Sequence, residues 1–112
     1  MKIHLTLLTA IILVESSGND FAIGDKGKAL GPLQIHKILV DDVNQIYGTH
    51  YQWSTMTNRT LSVEVAELYF DHYGKSAKPE YLARIWNGGP RGNDNVKTLP
   101  YWEKVKSFLN EK

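Results

Sequence analysis

Glu15 is placed least like the rest of the 12 acidic residues in this 112-residue chain. It closes the apolar run IHLTLLTAIILV, residues 3–14. If that run is a helix, Glu15 sits at its C-terminal end, where the helix dipole disfavours negative charge. Apolar neighbours also desolvate a carboxyl, and both effects raise its pKa. A carboxylic acid still protonated near neutral pH is what a general acid requires. The plain alternative is an exposed glutamate at a helix end. Asp25 follows in the sequence GDKG, residues 24–27. A solvated turn keeps a carboxylate ionised. A protonated Glu facing an ionised Asp across a cleft makes up the working pair of a glycoside hydrolase. Aspartate also favours turns for purely local reasons, and Asp20 competes for the second role.

Other groups are less specific. NGGP at residues 87–90 is a helix stop, and its bare backbone would let a ligand come close. Trp86 beside it, with Tyr101 and Trp102 beyond, could stack on sugar faces, although aromatic residues of helical proteins more often fill cores. His36, next to Gln34 and Ile35, would border a cleft built from this region. The four histidines, His4, His36, His50 and His72, show no metal-ligand spacing, so no metal or cofactor is expected. No Ser-His-Asp arrangement and no phosphate-binding glycine loop stands out, although Ser16 and Ser17 adjoin Glu15.

These groups must be positioned by short elements. Periodicity predicts a first helix over about residues 3–15, with Ile3, Leu7, Ala10, Ile11 and Val14 on one stripe. Leu5, Leu8, Ile12 and Leu13 widen that stripe, which predicts burial on most sides. SSGN ends the helix. DFAIGDKGKALG reads as a short β-hairpin. Pro32 suits the first turn of a second helix carrying Ile35, Ile38, Leu39, Val43 and Ile46, with Gly48 as its stop. THYQWSTMTNRT reads as a loop. Its Asn58-Arg59-Thr60 matches a glycosylation sequon, but a chance match or a helix cap explains it better. A third helix in LSVEVAELYFDHYG would turn Leu61, Val65, Leu68, Tyr69 and His72 to one side. Pro79 opens a fourth and Pro100 a fifth, the latter with Tyr101, Val105, Phe108 and Leu109 facing in. The expected fold is α+β, mainly α, with about five helices and one small hairpin after the first. It is expected to form a single catalytic domain over residues 1–112.

Bulk composition narrows the function. Hydrophobic content of 42% with 22% charged residues fits a folded chain. A net charge of +1 argues against a nucleic-acid partner. With no cysteine there are no disulfides, no Cys-based zinc site and no thiol catalysis. The apolar start is too short to span a bilayer, and stable membrane insertion is not expected. Lys2 with the apolar run has the outline of a signal peptide, but the run meets Glu15 without a small-residue cleavage site. It is therefore read as a retained helix.

Taken together, VESSGNDFAIGDKGKALGPLQI, ARIWNGGPRG and TLPYWEKV resemble the invertebrate-type (destabilase) lysozymes, in the right order and over almost the whole chain. Soluble lytic transglycosylases share the pattern more loosely. The resemblance implies a lysozyme-like fold and cleavage of the β-1,4 bond between N-acetylmuramic acid and N-acetylglucosamine. It implies Glu15 as general acid, Asp25 as second carboxylate, and Gln34, Asn87 and Gly88 in the blocks that build the cleft; with His36, Trp86 and Tyr101 from the reading above, these make up the expected substrate-binding set. The implied partner is the peptidoglycan glycan strand, met in the periplasm or outside the cell by a monomer. Three departures stand out. Family members are usually disulfide-rich. The residue before NGGP is commonly His and is Trp86 here, which argues against the isopeptide cleavage of some members. Leu39 and Val40 replace an aromatic pair. A cysteine-free form suggests a bacterial or bacteriophage relative, such as an endolysin. The rivals are a lytic transglycosylase using Glu15 alone and a non-catalytic glycan-binding module.

Overall fold

The structure, a computed structural model, describes residues 4–109. It contains five helices: α1 (Leu5–Ser16), α2 (Lys37–Tyr47), α3 (Arg59–Tyr73), α4 (Pro79–Gly88) and α5 (Leu99–Leu109). Between α1 and α2 lies a two-stranded antiparallel ribbon, β1 (Ile23–Gly24) with β2 (Ala29–Leu30). Its register pairs Ile23 with Leu30 and Gly24 with Ala29. The architecture is the expected α+β, mainly helical arrangement. No helix among the described residues is long and apolar enough to cross a membrane.

The helix α1 buries Leu7, Leu8, Ala10, Ile11 and Ile12. Its burial is less complete than the sequence suggested, because Leu5 is half-exposed and Leu13 is also exposed. Ile3 falls outside the described residues. Ser17 then turns left-handed, and its N–H reaches the Leu13 carbonyl, ending the helix one residue past Glu15.

The second helix departs from expectation. Pro32 does not open it; residues 31–34 form a tight turn instead. The reason is hydrogen bonding. Gly31 N–H donates to Ala22 O, Gln34 N–H to Gly31 O, and Ile35 pairs back with Leu30. These backbone groups extend the hairpin, so the helix starts only at Lys37. Its buried residues are Val40 and Val43. Ile38, expected to face inward, is 78% exposed, because it lies roughly 200° around the helix from Val40.

The helix α3 is central. It buries Ser62, Val63, Val65, Ala66, Glu67, Tyr69 and Phe70, a broader face than the single stripe expected, while His72 is exposed. Asn58 is its N-cap, with the side-chain oxygen accepting from Leu61 N–H at 3.1 Å. The sequon match is therefore a cap. In α5, Val105 is buried but Phe108 is 39% exposed. One core unites these elements, centred on Phe70, Leu8, Ile11, Leu33, Leu82 and Ile85. Each such side chain stabilises the fold by about 1.5–3 kcal/mol through burial, and packing does this without any disulfide.

Candidate active site

A cleft of about 780 Å³ runs between the hairpin and α2 on one side and the ends of α1 and α4 on the other. Glu15, Asp25, Gln34, His36, Trp86 and Asn87 all line it. Residues from opposite ends of the sequence thus meet around one space.

Glu15 lies in the last turn of α1. Its Oε2 accepts the Tyr101 O–H at 2.8 Å, a contact spanning 86 residues of chain. Burial raises the Glu15 pKa, partly offset by that hydrogen bond and by the Lys104 charge. The Tyr101 hydroxyl is pushed far above the usual phenol range by burial, and further by the Glu15 carboxylate. It stays protonated and remains a donor.

Asp25 stands on the hairpin turn in a left-handed conformation, φ 50°, followed by Lys26 at φ 58°. Aspartate tolerates this region better than most residues. Its carboxylate is 59% exposed and lies 3.3 Å from His36 Nε2. Asp20, the competing carboxylate, is held elsewhere. The Arg59 guanidinium grips its Oδ1 at 2.6 and 2.7 Å and also bonds Gly18 O. Asp20 is not among the cleft-lining residues.

Gln34 is occupied structurally. Its Nε2 donates to Ala22 O at 3.1 Å and Gly31 O at 3.0 Å, which leaves only its carbonyl oxygen for a ligand. Trp86 packs edge-on against Tyr69 and Phe70, with ring centroids 5.7 and 5.6 Å away, and presents its remaining surface to the cleft. Two expected contacts are relocated. Gly88 faces Thr98, and the backbone reaching the cleft is that of Gly89 and Pro90. Tyr101 is not among the lining residues; it bonds Glu15 instead. Arg84 fixes the loop that follows, donating to Thr98 Oγ1 at 2.8 Å and to Asn93 O and Asn95 O at 3.3 Å.

Sequence reasoning missed one wall. Ile38, Asp41, Asp42 and Gln45 of α2 line the cleft, as does Tyr69. Their i, i+3, i+4, i+7 spacing marks one helix face, a signal hidden by its mixed polarity. Asp42 accepts the Tyr73 O–H at 2.5 Å, and Asp41 pairs with Lys37 at 2.8 Å.

The family model described as "Transglycosylase SLT domain" matches residues 1–108. The chain belongs to that family. This SLT domain is also similar to a lysozyme of Magallana gigas, 54% identical over 37 residues. That match takes in 33% of this chain and 27% of the relative's length. In structure it is similar to a chain of the Aeromonas hydrophila PliI complex with Meretrix lusoria lysozyme. There the TM-score is 0.76 and the identity 25%, over 91% of this chain and 87% of that one. The fold is lysozyme-like.

Proposed function

We propose that this SLT domain is a peptidoglycan-cleaving muramidase acting at the cell wall, its described residues working as one catalytic unit. The carrying observation is Glu15: a desolvated carboxyl, held by Tyr101, on a cleft that Asp25 also lines. In this reading a glycan strand lies in the cleft, with the bond between N-acetylmuramic acid and N-acetylglucosamine at Glu15. Glu15 donates its proton to the glycosidic oxygen as that bond breaks. Asp25, on its solvent-exposed turn, stabilises the oxocarbenium-like transition state and attacks the anomeric carbon. Water then displaces Asp25, and Glu15 takes up the proton. Asn87, the Gly89 and Pro90 backbone and the Trp86 edge would contact the sugar. The similarity to the lysozyme of Magallana gigas supports this chemistry.

The test is clearance of a purified peptidoglycan suspension. Glu15→Gln should slow it by about 10²–10⁴-fold, the usual worth of a general acid. Equal clearance by wild type and variant would end the assignment of Glu15 as general acid, and no clearance by wild type would leave a glycan-binding module.

The family match favours a second reading, a lytic transglycosylase. Such an enzyme uses Glu15 alone and closes the product with the substrate's own hydroxyl. The two readings part at Asp25. In a two-carboxylate hydrolase Asp25→Asn abolishes turnover and wild-type products carry the added water. In a transglycosylase the variant stays active and product mass spectra show anhydro ends, lighter by one water.

A further inference from the structure

Away from the cleft, His4 precedes α1, and Glu67 and Asp71 stand one turn apart on α3. One ligand atom from each lies within 4.8 Å of the others. His4 Nδ1 is 2.7 Å from Glu67 Oε1, and the His4 backbone N–H points at Oε2 from 3.4 Å. The His4 ring is held edge-on against Phe70, with centroids 5.4 Å apart. Glu67 is 6% exposed, the one charged residue in the buried class among the described residues. A carboxylate out of water needs a cation close by. A single imidazole, even protonated, supplies one positive charge against two carboxylates.

We propose that His4, Glu67 and Asp71 form a zinc site that staples the start of α1 to α3. The donor set decides the metal. An imidazole nitrogen disfavours calcium and magnesium, which take oxygen ligands, and nitrogen with two carboxylate oxygens suits zinc. Zinc–ligand bonds of about 2.0–2.1 Å place tetrahedral ligands roughly 3.3–3.5 Å apart. The 2.7 Å His4–Glu67 contact opens slightly and the Asp71 side chain, free at the surface, swings inward. Spacing of i and i+4 already puts both carboxylates on one helix face. Solvent completes the fourth position. Sequence spacing gave no sign of this set, because His4 and Glu67 are 63 residues apart. The site is structural and stands independently of the cleft's chemistry.

The test uses the tag-free, metal-stripped chain titrated with zinc chloride by calorimetry, with thermal unfolding in parallel. One zinc should bind per chain. At zinc about tenfold above Kd, Tm should rise by about 5 °C. Asp71→Asn, a surface change that leaves the fold intact by circular dichroism, should weaken binding at least about tenfold. His4→Gln should weaken it further, and magnesium should give no signal at the same concentrations. No stoichiometric uptake by wild type overturns the proposal, and so does zinc binding equally tight in Asp71→Asn and His4→Gln.

Discussion

Glu15 and Tyr101 form the contact on which the proposed chemistry turns, and its direction can be read from pH. Desolvation favours the protonated carboxyl and raises its pKa, whereas the Tyr101 hydrogen bond favours the ionised form. Folding therefore binds a proton at Glu15. The stability this confers is full below the unfolded-state value of about 4.3 and is lost as pH rises through the raised folded-state value. In the proposed mechanism activity follows the same sense, because only protonated Glu15 can donate. Clearance of peptidoglycan should fall as pH rises through that value. Tyr101→Phe removes the bond that opposes the shift, so the falling limb should move to higher pH. A maximal rate within about tenfold of wild type is expected, since the general acid itself remains. A pH–rate profile of wild type and Tyr101→Phe checks this. A limb that stays in place, or moves to lower pH, would show that Tyr101 does not tune Glu15. Glu15 was legible from its place at the end of an apolar run. Tyr101 read as a sugar-stacking aromatic, because no local pattern reveals a hydrogen bond to a residue so distant in sequence.

At the scale of elements, the hairpin is the most exposed to error, since it carries Asp25 on only two ladder pairs. Its attachment depends on Gly31. That residue has φ +83°, and a Cβ there would lie 1.9 Å from Met56 O, backbone that has no room to give. Gly27, at φ +89° in the turn itself, has nothing within 4 Å of such a Cβ. Comparing the two separates backbone strain from collision. Gly27→Ala should cost about 1 kcal/mol, the usual penalty of a left-handed alanine. Gly31→Ala adds a clash and should cost about 3 kcal/mol or more, with activity lost as the hairpin lifts. Urea denaturation of both variants tests this; equal losses would mean that Met56 is not the anchor. The sequence made this hairpin legible through its GDKG turn. It did not reveal that the chain doubles back again through Leu30 and Ile35, because Pro32 carries a helix-start signal of equal local strength. The apolar face of α2 was misassigned for a related reason: Ile38 belongs to a cleft wall, where burial does not select residue type.

The whole molecule joins a cleft and a surface of opposite charge. Four carboxylates, Glu15, Asp25, Asp41 and Asp42, line the cleft, and His36 is the one basic side chain among the described lining residues. Yet the chain carries 13 Lys and Arg against 12 acidic residues. Among the described residues, the excess of positive charge therefore lies outside the cleft. The fold class, the hairpin and the two carboxylates could be read along the chain, but this separation could not, because it depends on which faces of distant helices meet. It predicts two different salt responses. Intact cell walls carry anionic polymers and meet the basic exterior over many contacts. A short soluble glycan fragment carries few charges and meets mainly the cleft. Raising salt from about 0.01 M to about 0.15 M shortens the screening distance from about 30 Å to about 8 Å. The KM for intact walls should then rise by about tenfold, in line with the low end of electrostatic steering. Cleavage of the soluble fragment should change by less than about twofold over the same range. Parallel salt series on the two substrates measure this. If both respond alike, the exterior charge plays no part in reaching the wall, and the cleft alone sets how the protein engages its substrate.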